Sequence, residues 1–148
     1  MIATAERQSG RDGELLIPPV VLLDECTVHE SGIGPLLILE ENQGAVLIVT
    51  LEITRGIEGQ SLGVSLLGSS NGNDWEPVLQ LPKKYYCGSY PAVLDLSPRP
   101  AFRYLRVEWD VKRWAMDGRA ALFTFGIGMQ NVSGCNTRTG AQTFAGLA

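Results

Sequence analysis

The chain has almost no histidine, few cysteines, little charge and no stretch with a helical period. His29 is the single histidine in 148 residues. A catalytic triad or a histidine-rich metal site therefore has one imidazole to draw on. The three cysteines, Cys26, Cys87 and Cys135, are far apart and form no C-x-x-C. That spacing speaks against a zinc site or a dithiol redox motif. An odd count fits reduced, mostly buried thiols better than a disulfide framework, although the sequence leaves open that two of the three pair. Charged residues make up only 19%, with a net charge of −4. Phosphate backbones call for a basic face, so nucleic acid is not the expected partner, and Lys83-Lys84 is not read as a phosphate site.

Two further absences concern location. The opening "MIATAERQSGRDGELL" has no basic region followed by an apolar run, so no signal peptide is expected and synthesis is expected in the cytoplasm. The apolar run "LLIPPVVLL" is short and broken by Pro18-Pro19, so no membrane insertion is expected.

What the sequence does contain is a period of two. In "GAVLIVTLEIT", Leu47, Val49, Leu51 and Ile53 share one face, with Thr50, Glu52 and Thr54 on the other. This is the pattern of a half-buried strand. Leu62, Val64 and Leu66 alternate in the same way, as do Ala121, Phe123, Phe125, Ile127 and Met129. In "RYLRVEW", Arg103, Leu105, Val107 and Trp109 alternate with Tyr104, Arg106 and Glu108. Shorter candidate strands are "VVLLD", "PLLILEE", "EPVLQL" and "AVLDL". Turn residues separate these runs, among them Gly32-Ile33-Gly34-Pro35, Asn71-Gly72 and Asp117-Gly118.

Together these signals predict an all-β chain, an antiparallel β-sandwich or jelly roll of about eight strands over residues 14–131. A polar arm is expected at 1–13 and a second at 132–148, either flexible or ordered against a neighbouring subunit.

The stretch "LLGSSNGNDWEPV" raises the one catalytic question. Gly68-Ser69-Ser70-Asn71-Gly72 fits G-x-S-x-G, the nucleophile elbow in which the serine stands between a strand and a helix. Here Pro77 and a second strand-like run follow, not a helix, and His29 precedes Ser70 when it should come last. The stretch reads better as a hairpin corner. Asn71-Gly72 tolerates the positive φ of a tight turn, and Trp75 opens the return strand with its ring over the end of the core. A fully buried Trp75 predicts a cost of about 3–5 kcal/mol for Trp75→Ala. The oxygens of "NGND" lack the fixed alternation and terminal Glu of an EF-hand calcium loop. Asp95, Asp110 and Asp117 are set apart by strands and turns, and no two form an acid/base pair. No catalytic residue, metal or cofactor is expected.

Aromatic residues concentrate in the second half. Tyr104, Leu105 and Trp109 are read with Asn71, Gly72 and Trp75 as turn and core positions. "KKYYCGSY" supplies Tyr85, Tyr86 and Tyr90, which with Trp114 are the candidates for a subunit interface or a glycan-stacking platform.

Over roughly residues 20 to 130 the chain resembles small phage and prophage virion structural proteins. The likeness is carried by "LEITRGIEGQSLGVSLLGSSNGNDWEPV", "FRYLRVEWDV" and "ALFTFGIGM". Their layout has an S-x-D-G-x-x-W turn, a Y-R-Y-L-R-V-x-W strand and a final F-T-F strand. This chain departs from it with Asn71 where Asp usually precedes the glycine. More loosely, it is similar to discoidin-type jelly rolls that bind sugars or lipids, without their flanking cysteines. Neither family carries over a catalytic residue. The resemblance implies a non-enzymatic, virion-type subunit that self-associates as a homo-oligomer or decorates a capsid, shell or tail protein. The alternative is a carbohydrate- or surface-binding module. On strict alternation Arg103 leans inward, so it is expected near a sheet edge, paired with a carboxylate.

Overall fold

The fold is that of a computed structural model describing residues 19–132. Cys135 and the two expected arms lie outside these residues, apart from Val132. The strands are β1 (Val20–Val28), β2 (Gly32–Ile33), β3 (Leu37–Ile38), β4 (Val46–Gly56), β5 (Gln60–Ser69), β6 (Glu76–Gln80), β7 (Gly88–Asp95), β8 (Tyr104–Arg113) and β9 (Phe123–Asn131). All pairings are antiparallel.

One sheet has the order β1-β9-β4-β7. In the other, β2 and β3 both pair with β8, followed by β5 and β6. Between β2 and β3 the Gly34 N–H still donates to the Val107 carbonyl at 2.8 Å, so the two pieces form one interrupted edge strand. Eight strand positions are divided between two four-strand layers, the chain changing sheet at every step except the β5–β6 hairpin, and the first strand lies beside the last. This is a jelly roll, as expected.

The period-two runs form the core. Leu47, Val49, Leu51 and Ile53 of β4 face Leu62, Val64 and Leu66 of β5, and all are buried. From β9, Phe123, Phe125, Ile127 and Met129 point inward, and from β8 Leu105 and Val107 do so. Trp109 is half-buried, with its ring edge-on to Phe125 at 5.8 Å and its indole N–H donating to the Glu30 carbonyl at 3.0 Å.

Two local expectations are corrected, at "PLLILEE" and at Arg103, and the expected "VVLLD" strand is found within β1 with an irregularity. "PLLILEE" is a strand only at Leu37–Ile38, because Leu39 leaves the sheet to bury itself and a 3₁₀ turn follows at Glu40–Asn42. In β1 the alternation fails at Leu22-Leu23, where a bulge against β9 turns two consecutive side chains inward. Arg103 is exposed and has no carboxylate partner among the described residues. It serves instead through its backbone, donating to the Ser69 carbonyl and accepting from the Leu39 N–H.

The edges are each interrupted: β1 by its bulges, β2 and β3 by the gap at Gly34-Pro35-Leu36, β6 by Pro77 and β7 by Pro91. Prolines, bulges and short strands blunt a sheet edge against pairing with another chain.

The ring of Phe102 lies against Gly68 of β5. A Cβ on Gly68 would come within 2.5 Å of that ring. Gly68→Ala is therefore expected to cost about 1–3 kcal/mol through overpacking, measured as a lower urea midpoint with unchanged slope.

Candidate functional site

The G-x-S-x-G stretch folds as a six-residue loop between β5 and β6, with no helix after it. Ser69, not Ser70, organises it. Ser69 is fully buried, and its Oγ accepts from the backbone N–H of Asn71 at 3.2 Å and of Gly72 at 2.8 Å. The same hydroxyl donates to Asn71 Oδ1 at 3.1 Å. Asn71 Oδ1 also accepts from the N–H groups of Asn73 and Asp74, at 2.8 and 2.9 Å, and its Nδ2 donates to Asp74 Oδ2 at 2.9 Å. The loop is thus held by side chains of its own first residues.

Only Gly72 has positive φ here, at 81°. The tight two-residue turn expected from Asn71-Gly72 would need it at both positions, so the hairpin is of a longer type. Ser70 is an exposed loop residue, and no histidine lies near it. His29 is on the far strand β1-side loop, its Nδ1 bonded to the Ala121 carbonyl at 2.8 Å.

Trp75 is also placed differently from the expectation. It is half-buried on the outer face of the β8-β5-β6 sheet, with the Arg106 guanidinium 4.2 Å from its ring centroid. Arg106 Nε is shielded beneath this stack without a hydrogen-bond partner. Tyr104 stands on the same outer face, beside Gly72. It is Phe102 whose ring lies against Gly68. The sequence signal for it was the small residue opposite, Gly68.

At the other end of the sandwich the expected aromatic candidates do converge. An isolated bridge between Leu62 and Lys84 carries Tyr85 and Tyr86 alongside the start of β5. The segment after β8 brings Trp114 to the same place, with its backbone N–H donating to the Gly59 carbonyl at 2.9 Å. Tyr85 meets Trp114 edge-on at 6.0 Å and Tyr86 at 6.4 Å. Exposures are 45% for Tyr85, 72% for Tyr86, 57% for Trp114 and 99% for Met116, a run of large apolar side chains left facing water. Tyr90 is not part of this surface. Its hydroxyl donates to the Tyr86 carbonyl at 2.6 Å, and its ring lies 4.3 Å from Lys84 Nζ, so it braces the tyrosine loop from behind.

The loop that displays Trp114 and Met116 is anchored by Arg113. That guanidinium, only 8% exposed, donates to the carbonyls of Glu58 and Arg119 at 2.8 Å and to Asp117 Oδ1 at 2.6 Å. Arg113 and the Arg119 N–H hold the Asp117 carboxyl well below the usual carboxylate range. Gly59, at φ 81°, meets Ala115 so closely that a Cβ would fall 2.5 Å from its methyl. The contacts of Arg113 with Glu58 and of Gly59 with Ala115 join residues more than fifty positions apart and left no sequence signal.

The described cysteines, Cys26 and Cys87, are free thiols. Cys87 is exposed, against the expectation of burial, while Cys26 is half-buried and its thiol is pushed up by burial and by Asp24. Among the described residues no three His, Cys, Asp or Glu side chains are grouped to hold a metal ion. Among the same residues no helix is long and apolar enough to cross a membrane.

No family model matches the chain, and no curated protein matches it. Among solved structures it is similar to a chain of the infectious bursal disease virus Gt strain, at 10% identity and a TM-score of 0.45, over 86% of this chain and 38% of that one. A chain of the Gx strain of the same virus gives 13% identity and a TM-score of 0.43, over 85% and 36%. The protein thus spans little more than a third of either chain.

The loop geometry separates the two serines. Ser69→Ala is expected to cost about 1–3 kcal/mol, because two backbone N–H groups lose their acceptor, while Ser70→Ala stays within about 0.5 kcal/mol. With its ring half-exposed, Trp75→Ala is expected to cost about 1–2 kcal/mol, less than full burial would predict. Urea unfolding of the three variants, compared side by side, measures all of these.

Proposed function

We propose that this protein is a non-enzymatic assembly subunit of the virion type, which associates with further copies of itself through the exposed surface of Tyr85, Tyr86, Trp114 and Met116. The observation that carries the reading is that these large apolar side chains converge on a loop pair held in place by Arg113 and Tyr90. Monomeric proteins seldom leave such a patch uncovered. Tyr, Trp and Met are also the residue types enriched at protein interfaces.

Three further points support it. The sequence resembles small phage and prophage virion proteins in its strand-turn-strand layout. The jelly roll is a scaffold on which capsid domains are built, alongside lectin domains and cupins, so the fold is compatible with the reading without choosing it. Ser70 and His29 lie on separate loops, so the serine-hydrolase reading has no supporting geometry. In this reading the subunit is incorporated into a particle, either as part of a homo-oligomer or on a capsid, shell or tail protein.

The aromatic surface suits a protein partner better than a sugar. Stacking on a glycan wants a flat face in a groove, and the rings here are tilted at 55° and 65° to one another. The grooves at Leu23–Ile127, His29–Arg113 and Gly63–Glu108 are lined by other residues than Tyr85, Tyr86 and Trp114.

Light scattering in solution and negative-stain electron microscopy test the proposal. The full chain is expected to form a defined oligomer. Trp114→Ser, or Tyr86→Ser, is expected to weaken association by about 2 kcal/mol, roughly 30-fold in dissociation constant, with an unchanged circular dichroism spectrum. A protein that stays strictly monomeric and docks on no larger shell would sink the reading.

A further inference from the structure

The outer face of the β8-β5-β6 sheet carries a second surface feature, a polar groove of about 400 Å³. Its floor is Gly63 in the middle of β5. A glycine inside a strand weakens it and calls for a reason: a special φ, a close backbone contact, or room for something else. Gly63 has neither of the first two. It is not among the residues with positive φ, and a Cβ on it would meet nothing nearer than the Asp110 carbonyl at 3.8 Å. A side chain would fit the fold, and its effect would be to fill the groove.

The groove is lined with uncommitted hydrogen-bonding groups. Strand register sets Glu108 of β8 opposite Ser65 of β5, and Ser65 opposite Gln80 of β6. Neighbouring strands lie about 4.8 Å apart, so carboxylate, hydroxyl and amide form an evenly spaced row across three strands. Lys83 stands at one wall, and Ile33, 51% exposed, gives the other wall an apolar surface. Among the described residues, the side chains of Glu108, Ser65, Gln80 and Lys83 make no hydrogen bond or ion pair. Asp110, beside Gly63, is already held by Ser31 at 3.0 Å and by Lys112 at 3.7 Å.

From this we infer that the groove is a saccharide-binding site, with a preference for amino sugars. The backbone of β5 and β8 is paired within the sheet at the floor of the groove, so a ligand lying there meets side chains and the bare Gly63 and not an open ladder. A row of donors and acceptors, with Trp109 among the lining residues, matches a polyhydroxylated ligand held by hydrogen bonds, and the volume lies within the usual range of roughly 300–1,000 Å³ for small-ligand sites. Asp110 is neutralised by Lys112, which leaves Glu108 as the groove carboxylate without a cation partner among the described residues, a position that favours an ammonium group beside it. The site is distinct from the aromatic surface and does not depend on the assembly reading.

Saturation-transfer NMR on the full-length protein tests it, with the glucosamine tetramer as probe and cellotetraose as its uncharged counterpart. The glucosamine tetramer is expected to receive saturation from the wild type. Gly63→Val is expected to lower that transfer about tenfold without lowering the thermal midpoint. Glu108→Gln is expected to reduce transfer to the glucosamine tetramer more than to cellotetraose. Gln80→Ala is a second probe of the groove at an exposed position, where folding is not at stake. The inference is overturned if neither sugar receives saturation from the wild type. It is equally overturned if transfer survives unchanged in Gly63→Val, or in Gln80→Ala and Glu108→Gln.

Discussion

The structure depends on strand β9. It is hydrogen bonded on both sides, to β1 and to β4, and it turns Phe123, Phe125, Ile127 and Met129 into the core. Between these large residues stand Gly126 and Gly128, so one face of the strand is fully packed and the other is nearly bare. Gly126 has a steric reason, since a Cβ would come within 3.2 Å of the Glu25 backbone where β1 bulges across it. Because β1 enters the sheet only through β9, this close passage ties the first strand to the last and closes the jelly roll.

How far this could be read in advance follows from the range of each interaction. Period-two alternation is local, so the strands at Val46–Gly56, Gln60–Ser69, Tyr104–Arg113 and Phe123–Asn131, and their inward faces, were legible in the sequence. The failures occur where a distant residue overrides the local pattern. Leu39 abandons a strand-like run because the core offers it a place. Leu22 and Leu23 both turn inward because β9 imposes a bulge. Trp75 stacks with Arg106 on the outer face, while Phe102 fits over Gly68 from a segment more than thirty positions away in the chain.

The same logic applies to the sites. Tyr85, Tyr86 and Trp114 could be picked out as rings in irregular segments, but their meeting depends on a single bridge at Lys84 and on the Arg113 anchor. Tyr90 looked equivalent to its neighbours and instead supports them. Buried Gln60 gave no signal at all. Its side-chain amide accepts from the Leu122 N–H at 2.8 Å and donates to the Leu122 carbonyl at 2.6 Å, imitating a strand pairing where no strand reaches. Such a polar group is tolerable inside only because both of its ends are satisfied.

The interruption of every sheet edge has a consequence for crowding. In a sandwich with straight, open edges, raising the concentration invites indiscriminate growth into fibres. Here Pro77, Pro91, the gap at Pro35 and the bulges of β1 remove that route. Contact between molecules is left to side-chain surfaces, whose strength is set residue by residue and whose errors can dissociate and be remade. Edges of this kind resist strand-by-strand growth even at very high local density.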